Sequence, residues 1–282
     1  MSLKIIDSHI HFWDPELFRY SWMKDAPELE KKFNHLDFNR HSNGINVEKL
    51  VFVQAECQHE MGLKEVEWVS ELANNESKIA GIVAFAPLEK GLSNCKEYLD
   101  QISKNQLVKG IRRMFQWEAP GFARDNKLIE SVQSLSDYNL TFDICIYHYQ
   151  MQDAIYLIEK CPKIKFVLDH IGKPNIKENI MEPWSSQLAE LASFPNVFCK
   201  LSGLINEADM DHWTEDQLKP YLLHAINSFG VNRIMYGADW PVSLLAASYK
   251  QWFSVLYNIV KEFDTGSIQN VFYDNAKSFY QI

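Results

Sequence analysis

Ile164-Lys165-Phe166-Val167-Leu168-Asp169-His170-Ile171-Gly172-Lys173-Pro174 reads as a short buried strand that ends in an acid and a histidine and is stopped by glycine and proline. Arg233-Ile234-Met235-Tyr236-Gly237-Ala238-Asp239-Trp240-Pro241 follows the same plan, with one acid at its end. Near the start, Leu3-Lys4-Ile5-Ile6-Asp7-Ser8-His9-Ile10-His11 is a third such run. Alternate side chains of a strand point the same way, so Asp7, His9 and His11 share a face. No Gly-rich phosphate loop follows this strand, as a doubly wound open sheet would usually require.

Working outward, eight apolar, β-branched runs begin near Leu3, Leu50, Ala80, Leu107, Leu140, Ile164, Asn196 and Arg233. Several are apolar almost without interruption, as strands buried on both faces are. Segments of helical period separate them. Leu63, Val66, Val69 and Leu72 recur at three or four residues, as do Leu92, Cys95, Leu99 and Ile102, and the later connectors follow suit. That alternation predicts a (β/α)8 TIM barrel, an α/β fold, and its eight units use the whole chain, 1–282, as one domain. The stretch from about Phe12 to Gly44 is aromatic, charged and weakly periodic, so it reads as an extended first βα loop beside the mouth.

The chain has 282 residues, 46% hydrophobic and 23% charged, enough for one large core. A net charge of −9 argues against nucleic acid, which asks for a basic patch. Cys57, Cys95, Cys145, Cys161 and Cys199 are odd in number and scattered through apolar runs, so reduced thiols and a cytoplasmic location are expected. No apolar stretch approaches the roughly 20 residues of a membrane span, and no signal sequence is legible at the start. A small-molecule substrate is the expected partner; the oligomeric state is not readable.

Polar residues at barrel-strand ends converge on the C-terminal mouth, where such barrels keep their chemistry. Each has a plainer reading alone: His9 and His11 as solvated imidazoles, His170 as a structural histidine, Asp239 as a helix cap. Together they are imidazole and carboxylate donors of the kind a divalent transition metal takes.

Here the chain resembles the amidohydrolase superfamily. Within it, the chain is similar to the lactonase branch that includes L-fuconolactone, L-rhamnonolactone and 2-pyrone-4,6-dicarboxylate hydrolases. The resemblance rests on His9-Ile10-His11-Phe12-Trp13-Asp14-Pro15, Lys109-Gly110-Ile111-Arg112-Arg113, Leu168-Asp169-His170-Ile171-Gly172-Lys173-Pro174, Lys200-Leu201-Ser202-Gly203-Leu204 and Tyr236-Gly237-Ala238-Asp239-Trp240-Pro241-Val242. It implies His9, His11, His170 and Asp239 as the catalytic or metal-binding set, Arg112 as a substrate contact, and Lys200 as either a substrate contact or half of an internal ion pair. It implies one divalent metal ion, zinc first, while some members of the branch work without metal. Binuclear relatives place ligands near Lys109 and His148, an arrangement this branch generally lacks.

The expected reaction is hydrolysis of a sugar-acid lactone by water, with Asp239 as general base and acid. The histidines, directly or through zinc, stabilise the oxyanion, Arg112 and Lys200 orient the ring, and Trp13, Tyr20 and Trp22 are available to stack on it. No G-x-S-x-G turn or catalytic cysteine pattern offers a side-chain nucleophile. Two alternatives stand beside this reading: a metal-dependent non-oxidative decarboxylase, and a barrel that binds a sugar acid without turnover. Glu56 and His59, after the second strand, carry two readings, substrate contacts and exposed loop residues, of which the second is the commoner.

Overall fold

The computed structural model describes residues 3–282. Among them, β1 (Ile5–Ile10), β2 (Val47–Val53), β3 (Ile79–Ala84), β4 (Val108–Arg112), β5 (Thr141–Ile144), β6 (Phe166–Leu168), β7 (Val197–Leu201) and β8 (Ile234–Tyr236) form one parallel sheet in chain order. The sheet curls until its edges meet. Beyond β8, the Asp239 N–H donates to the His9 carbonyl at 2.8 Å and the His11 N–H to the Trp240 carbonyl at 2.7 Å. The Ser8 hydroxyl donates to the Tyr236 carbonyl at 2.6 Å. A (β/α)8 barrel results, with strands starting within three residues of the positions read from the apolar runs.

Strand residues are buried on both faces because one face meets the barrel interior and the other meets helices. Those helices are α2 (Gly62–Ala73), α3 (Leu92–Ile102), α4 (Asn126–Ser134), α5 (Met151–Lys160), α6 (Trp184–Ala192), α7 (Glu215–Phe229) and α8 (Tyr249–Val260). Each turns its periodic stripe inward, as α3 does with Cys95, Leu99 and Ile102. None of the described helices is long and apolar enough to cross a membrane. All five cysteines are buried and unpaired.

Two regions differ from the reading of the sequence. The long first loop is packed: Trp13 and Phe33 exchange backbone hydrogen bonds at 3.0 and 2.9 Å, and a short helix, α1 (His35–His41), follows. Asn34 and Asp37 cap α1 reciprocally, while Phe38 is its one buried residue, so the helix leaves no periodic trace. At the other end, α9 (Thr265–Gln269) and α10 (Asn275–Tyr280) follow α8. Phe279 and Tyr280 pack with Ile6, Val51, Val83, Val167 and Met235 and close the barrel floor.

Candidate active site

Three imidazoles surround one carboxylate at the barrel mouth. Asp239 Oδ1 stands 3.2 Å from His11 Nε2, 3.6 Å from His9 Nε2 and 4.0 Å from His170 Nε2. His9 and His11 come from β1 and its end, His170 from the end of β6 and Asp239 from just past β8, so three strand ends around the barrel meet here. Asp239 and His170 both hold left-handed backbone, φ 55° and 54°, which L residues adopt rarely and which recurs at functional sites.

The second nitrogen of each ring fixes which one faces inward. His11 Nδ1 lies 2.7 Å from the Val53 carbonyl, which can only accept, so Nδ1 carries a proton and Nε2 is the nitrogen that faces Asp239. His170 Nδ1 has the Ser202 hydroxyl at 2.9 Å, and His9 Nδ1 has Asp169 Oδ1 at 3.3 Å. Three ring nitrogens and a carboxylate oxygen thus crowd one small space, an arrangement that a cation can bridge. The donor atoms of His9, His170 and Asp239 all lie within 4.8 Å of one another, and the outer partners orient the rings as partners of metal-bound histidines do. The residues fit a divalent transition ion.

Charge at the site follows from burial and neighbours. Burial holds His9 well below the ordinary imidazole range, with Asp169 opposing. It brings His170 down to about 4, so both rings are neutral at pH 7. Burial alone would raise Asp239, but His170, the His11 hydrogen bond and His9 outweigh it and hold the carboxyl well below its usual range.

Beneath the rings lies a buried ion chain. Lys200 Nζ stands 2.5 Å from Asp143 Oδ2, 3.1 Å from Asp169 Oδ1 and 3.3 Å from His9 Nδ1. The Tyr280 hydroxyl donates to Asp143 Oδ2 at 2.8 Å from the floor. Lys200 is fully buried and does not line the mouth, so its place is the internal ion pair. Arg112 does line the mouth, with its fork engaged: one nitrogen donates to the Gln54 carbonyl at 2.6 Å and the other to Asp169 Oδ2 at 3.2 Å.

The mouth opens into a cavity of about 310 Å³. Trp13, Trp22, Trp117 and Tyr147 supply its aromatic walls, and Asp25, Glu56, Gln116 and Lys173 its polar ones. Lys173 carries a cation–π contact to Tyr147 at 5.3 Å and an ion pair to Glu207 at 3.4 Å. Lys109 lies at a separate cavity toward the opposite end of the barrel, and His148 meets the Lys173 carbonyl at 3.0 Å outside the mouth, so neither joins the imidazole cluster.

Several residues of the site carried no individual signal in the sequence. Asp169 stood beside His170 in the strand-end pattern, and only the fold shows it gripping Arg112, Lys200 and His9. Gly203, at φ 64°, leaves room for the rings: a Cβ there would sit 2.5 Å from His170 Nδ1 and 3.0 Å from Asp239 Oδ2.

Comparison with known proteins agrees with this geometry. The family model described as amidohydrolase matches residues 6–282. An L-fucono-1,5-lactonase of Burkholderia ambifaria is 27% identical over 98% of this chain and 95% of its own. Another from Burkholderia multivorans is 30% identical over 87% of this chain and 85% of its own. A crystal structure of an amidohydrolase from Burkholderia multivorans with bound zinc superposes with a TM-score of 0.90, at 27% identity and 99% coverage of both chains. With the strand-end histidines and aspartate in place and the match running almost from end to end, the chain belongs to the amidohydrolase family.

Proposed function

We propose that this protein hydrolyses the lactone of a sugar acid, an uncharged polyhydroxylated ring, by attack of water at the Asp239 cluster. The observation that carries this reading is the convergence of three Nε2 atoms on Asp239 Oδ1 beneath a cavity with aromatic and acidic walls. Flat apolar walls suit the faces of a sugar ring, and ionised acids suit its hydroxyls. The cavity's two cations are already paired, Arg112 with Asp169 and Lys173 with Glu207, while Asp25, Glu56 and Asp239 add negative charge. That balance favours a neutral substrate over an aromatic acid awaiting decarboxylation. The lactonases among the relatives point the same way.

His9, His170 and Asp239, with His11 against the carboxylate, would hold a divalent ion, which when bound supplies positive charge for the developing oxyanion and lowers the pKa of water. Asp239, ionised at neutral pH, accepts the proton of the attacking water and returns it to the ring oxygen as the ester C–O bond breaks. Ser202, Val53 and Asp169 hold the three rings in place around Asp239. Arg112 ties the Gln54 carbonyl to Asp169 and so fixes one wall of the cavity against the histidines. One water adds and one hydroxy acid leaves.

The test is a screen of purified protein against five- and six-membered aldonolactones, with and without chelator, followed by acid release. Turnover of a neutral aldonolactone is expected. Carbon dioxide release from an aromatic acid, or ligand capture without turnover, would replace this reading with one of its two rivals.

A further inference from the structure

Glu56 sits between β2 and α2 at φ 56°, backbone that L side chains rarely adopt. Its own N–H donates to Gln54 Oε1 at 2.6 Å, and Gln54 Nε2 donates back to Glu56 Oε2 at 2.8 Å. On the other oxygen, His59 Nε2 stands 3.2 Å from Glu56 Oε1, and the His59 ring lies flat on Phe85 with centroids 4.2 Å apart. The preceding peptide is pinned as well. The Ala55 N–H donates to Glu65 at 3.1 Å, and the Ala55 carbonyl accepts from the Trp22 indole at 2.9 Å. Each carboxylate oxygen therefore has one protein donor and keeps further acceptor capacity, and the group borders the cavity alongside Trp22 and Asp25.

From this geometry we infer that Glu56 is a specificity-determining residue: its clamped carboxylate accepts hydrogen bonds from ring hydroxyls of the substrate and repels ring substituents that are anionic. Strained backbone held by four side chains, Gln54, His59, Glu65 and Trp22, is the form that a preorganised acceptor takes. Burial works against the charge, but the hydrogen bonds from His59 and Gln54 and the nearby Arg112 outweigh it, so the group is ionised at neutral pH. Trp22 sets an apolar surface beside it, so a ring stacked there would present its edge hydroxyls to an acceptor already in position.

The inference rests on the lactone reading of the cavity, and the experiment separates the two. Binding of a polyhydroxylated six-membered lactam and of δ-valerolactam, which share the ring amide but differ in hydroxyls, is measured by calorimetry on the full chain, independently of turnover. In Glu56→Gln the preference for the hydroxylated lactam should fall about tenfold, the usual worth of a hydrogen bond to a charged group. Glu56→Asp, which keeps the charge and shortens the reach, should fall between the two. A lactam carrying a ring carboxylate should bind the Gln variant more tightly than the wild type. Unchanged preference in both variants, or a wild type that does not favour the hydroxylated lactam, overturns the role of Glu56. Absence of lactone turnover alongside the expected lactam binding overturns only the reaction.

Discussion

Replacing Asp239 by asparagine separates proton transfer from everything else this residue does. The backbone at 239 is left-handed, φ 55°, and asparagine is among the non-glycine residues that tolerate it best, so the loop should keep its path. The side chain keeps its size and an oxygen within reach of His11 Nε2, now 3.2 Å away. What disappears is a group able to take a proton from water at neutral pH. A positioned acid-base group is usually worth a factor of about 10² to 10⁴, and the lower bound corresponds to about 2.7 kcal/mol in the barrier. Three imidazoles face the same oxygen, at 3.2, 3.6 and 4.0 Å, and the amide keeps all three as neighbours. The expected outcome is a hundredfold or greater loss of kcat on the preferred aldonolactone, followed by acid release, with Tm within a few degrees of wild type. A variant with near-normal kcat would refute the shuttle, leave Asp239 as a structural cap, and move the search for the base to His170.

Arg112→Met should lower kcat/KM at least tenfold, about 1.4 kcal/mol, and should also cost stability of about 3 kcal/mol by leaving Asp169 with one charged partner fewer in a buried site; kinetics and denaturant unfolding read the two effects separately. Gly203→Ala forces a methyl group to 2.5 Å from His170 Nδ1, so activity should drop tenfold or more with the far side of the barrel unaffected, and retention of full activity would show that His170 is free to move. Elemental analysis should find up to one transition metal per chain, reduced in His9→Ala and His11→Ala; full activity in chelator would assign the rings to direct hydrogen bonding. Burial pushes the Glu65 carboxyl up from 4.5 to about 8, so the folded chain holds it protonated where the unfolded chain ionises it. Its contribution is complete below about pH 4.5 and is lost as pH rises through 8, a swing on the order of 4 kcal/mol that Glu65→Gln should flatten in unfolding titrations at pH 5 and 8.5.

How much of this was legible beforehand depended on whether a residue's role is local. Strands buried on both sides announce themselves as apolar runs, and all eight did. Polar residues at their ends stand out against that background, which is why His9, His170 and Asp239 could be grouped before any coordinates. The short helix at His35–His41 could not be seen, because its stability comes from a reciprocal cap and one buried phenylalanine instead of a stripe. The roles of Asp169 and Lys173 were equally hidden, since each depends on partners from other strands and loops. Lys200 carried two readings at once, and the deciding fact, a carboxylate of β5 at 2.5 Å, is a product of barrel closure alone.

The floor of the barrel carries a consequence for assembly of the site. His9 belongs to β1, yet the ion chain under it is completed by Tyr280, whose hydroxyl reaches Asp143 from α10. The lysine and aspartates below the site therefore have all their partners only when α10 is packed on the floor. Without α10, Asp143, Asp169 and Lys200 would stand at an open end of the barrel, wet and free to pair otherwise. The mouth thus depends on a helix at the far end of the barrel, and the packing of α10 on the floor ties the rigidity of the site to the opposite face of the fold.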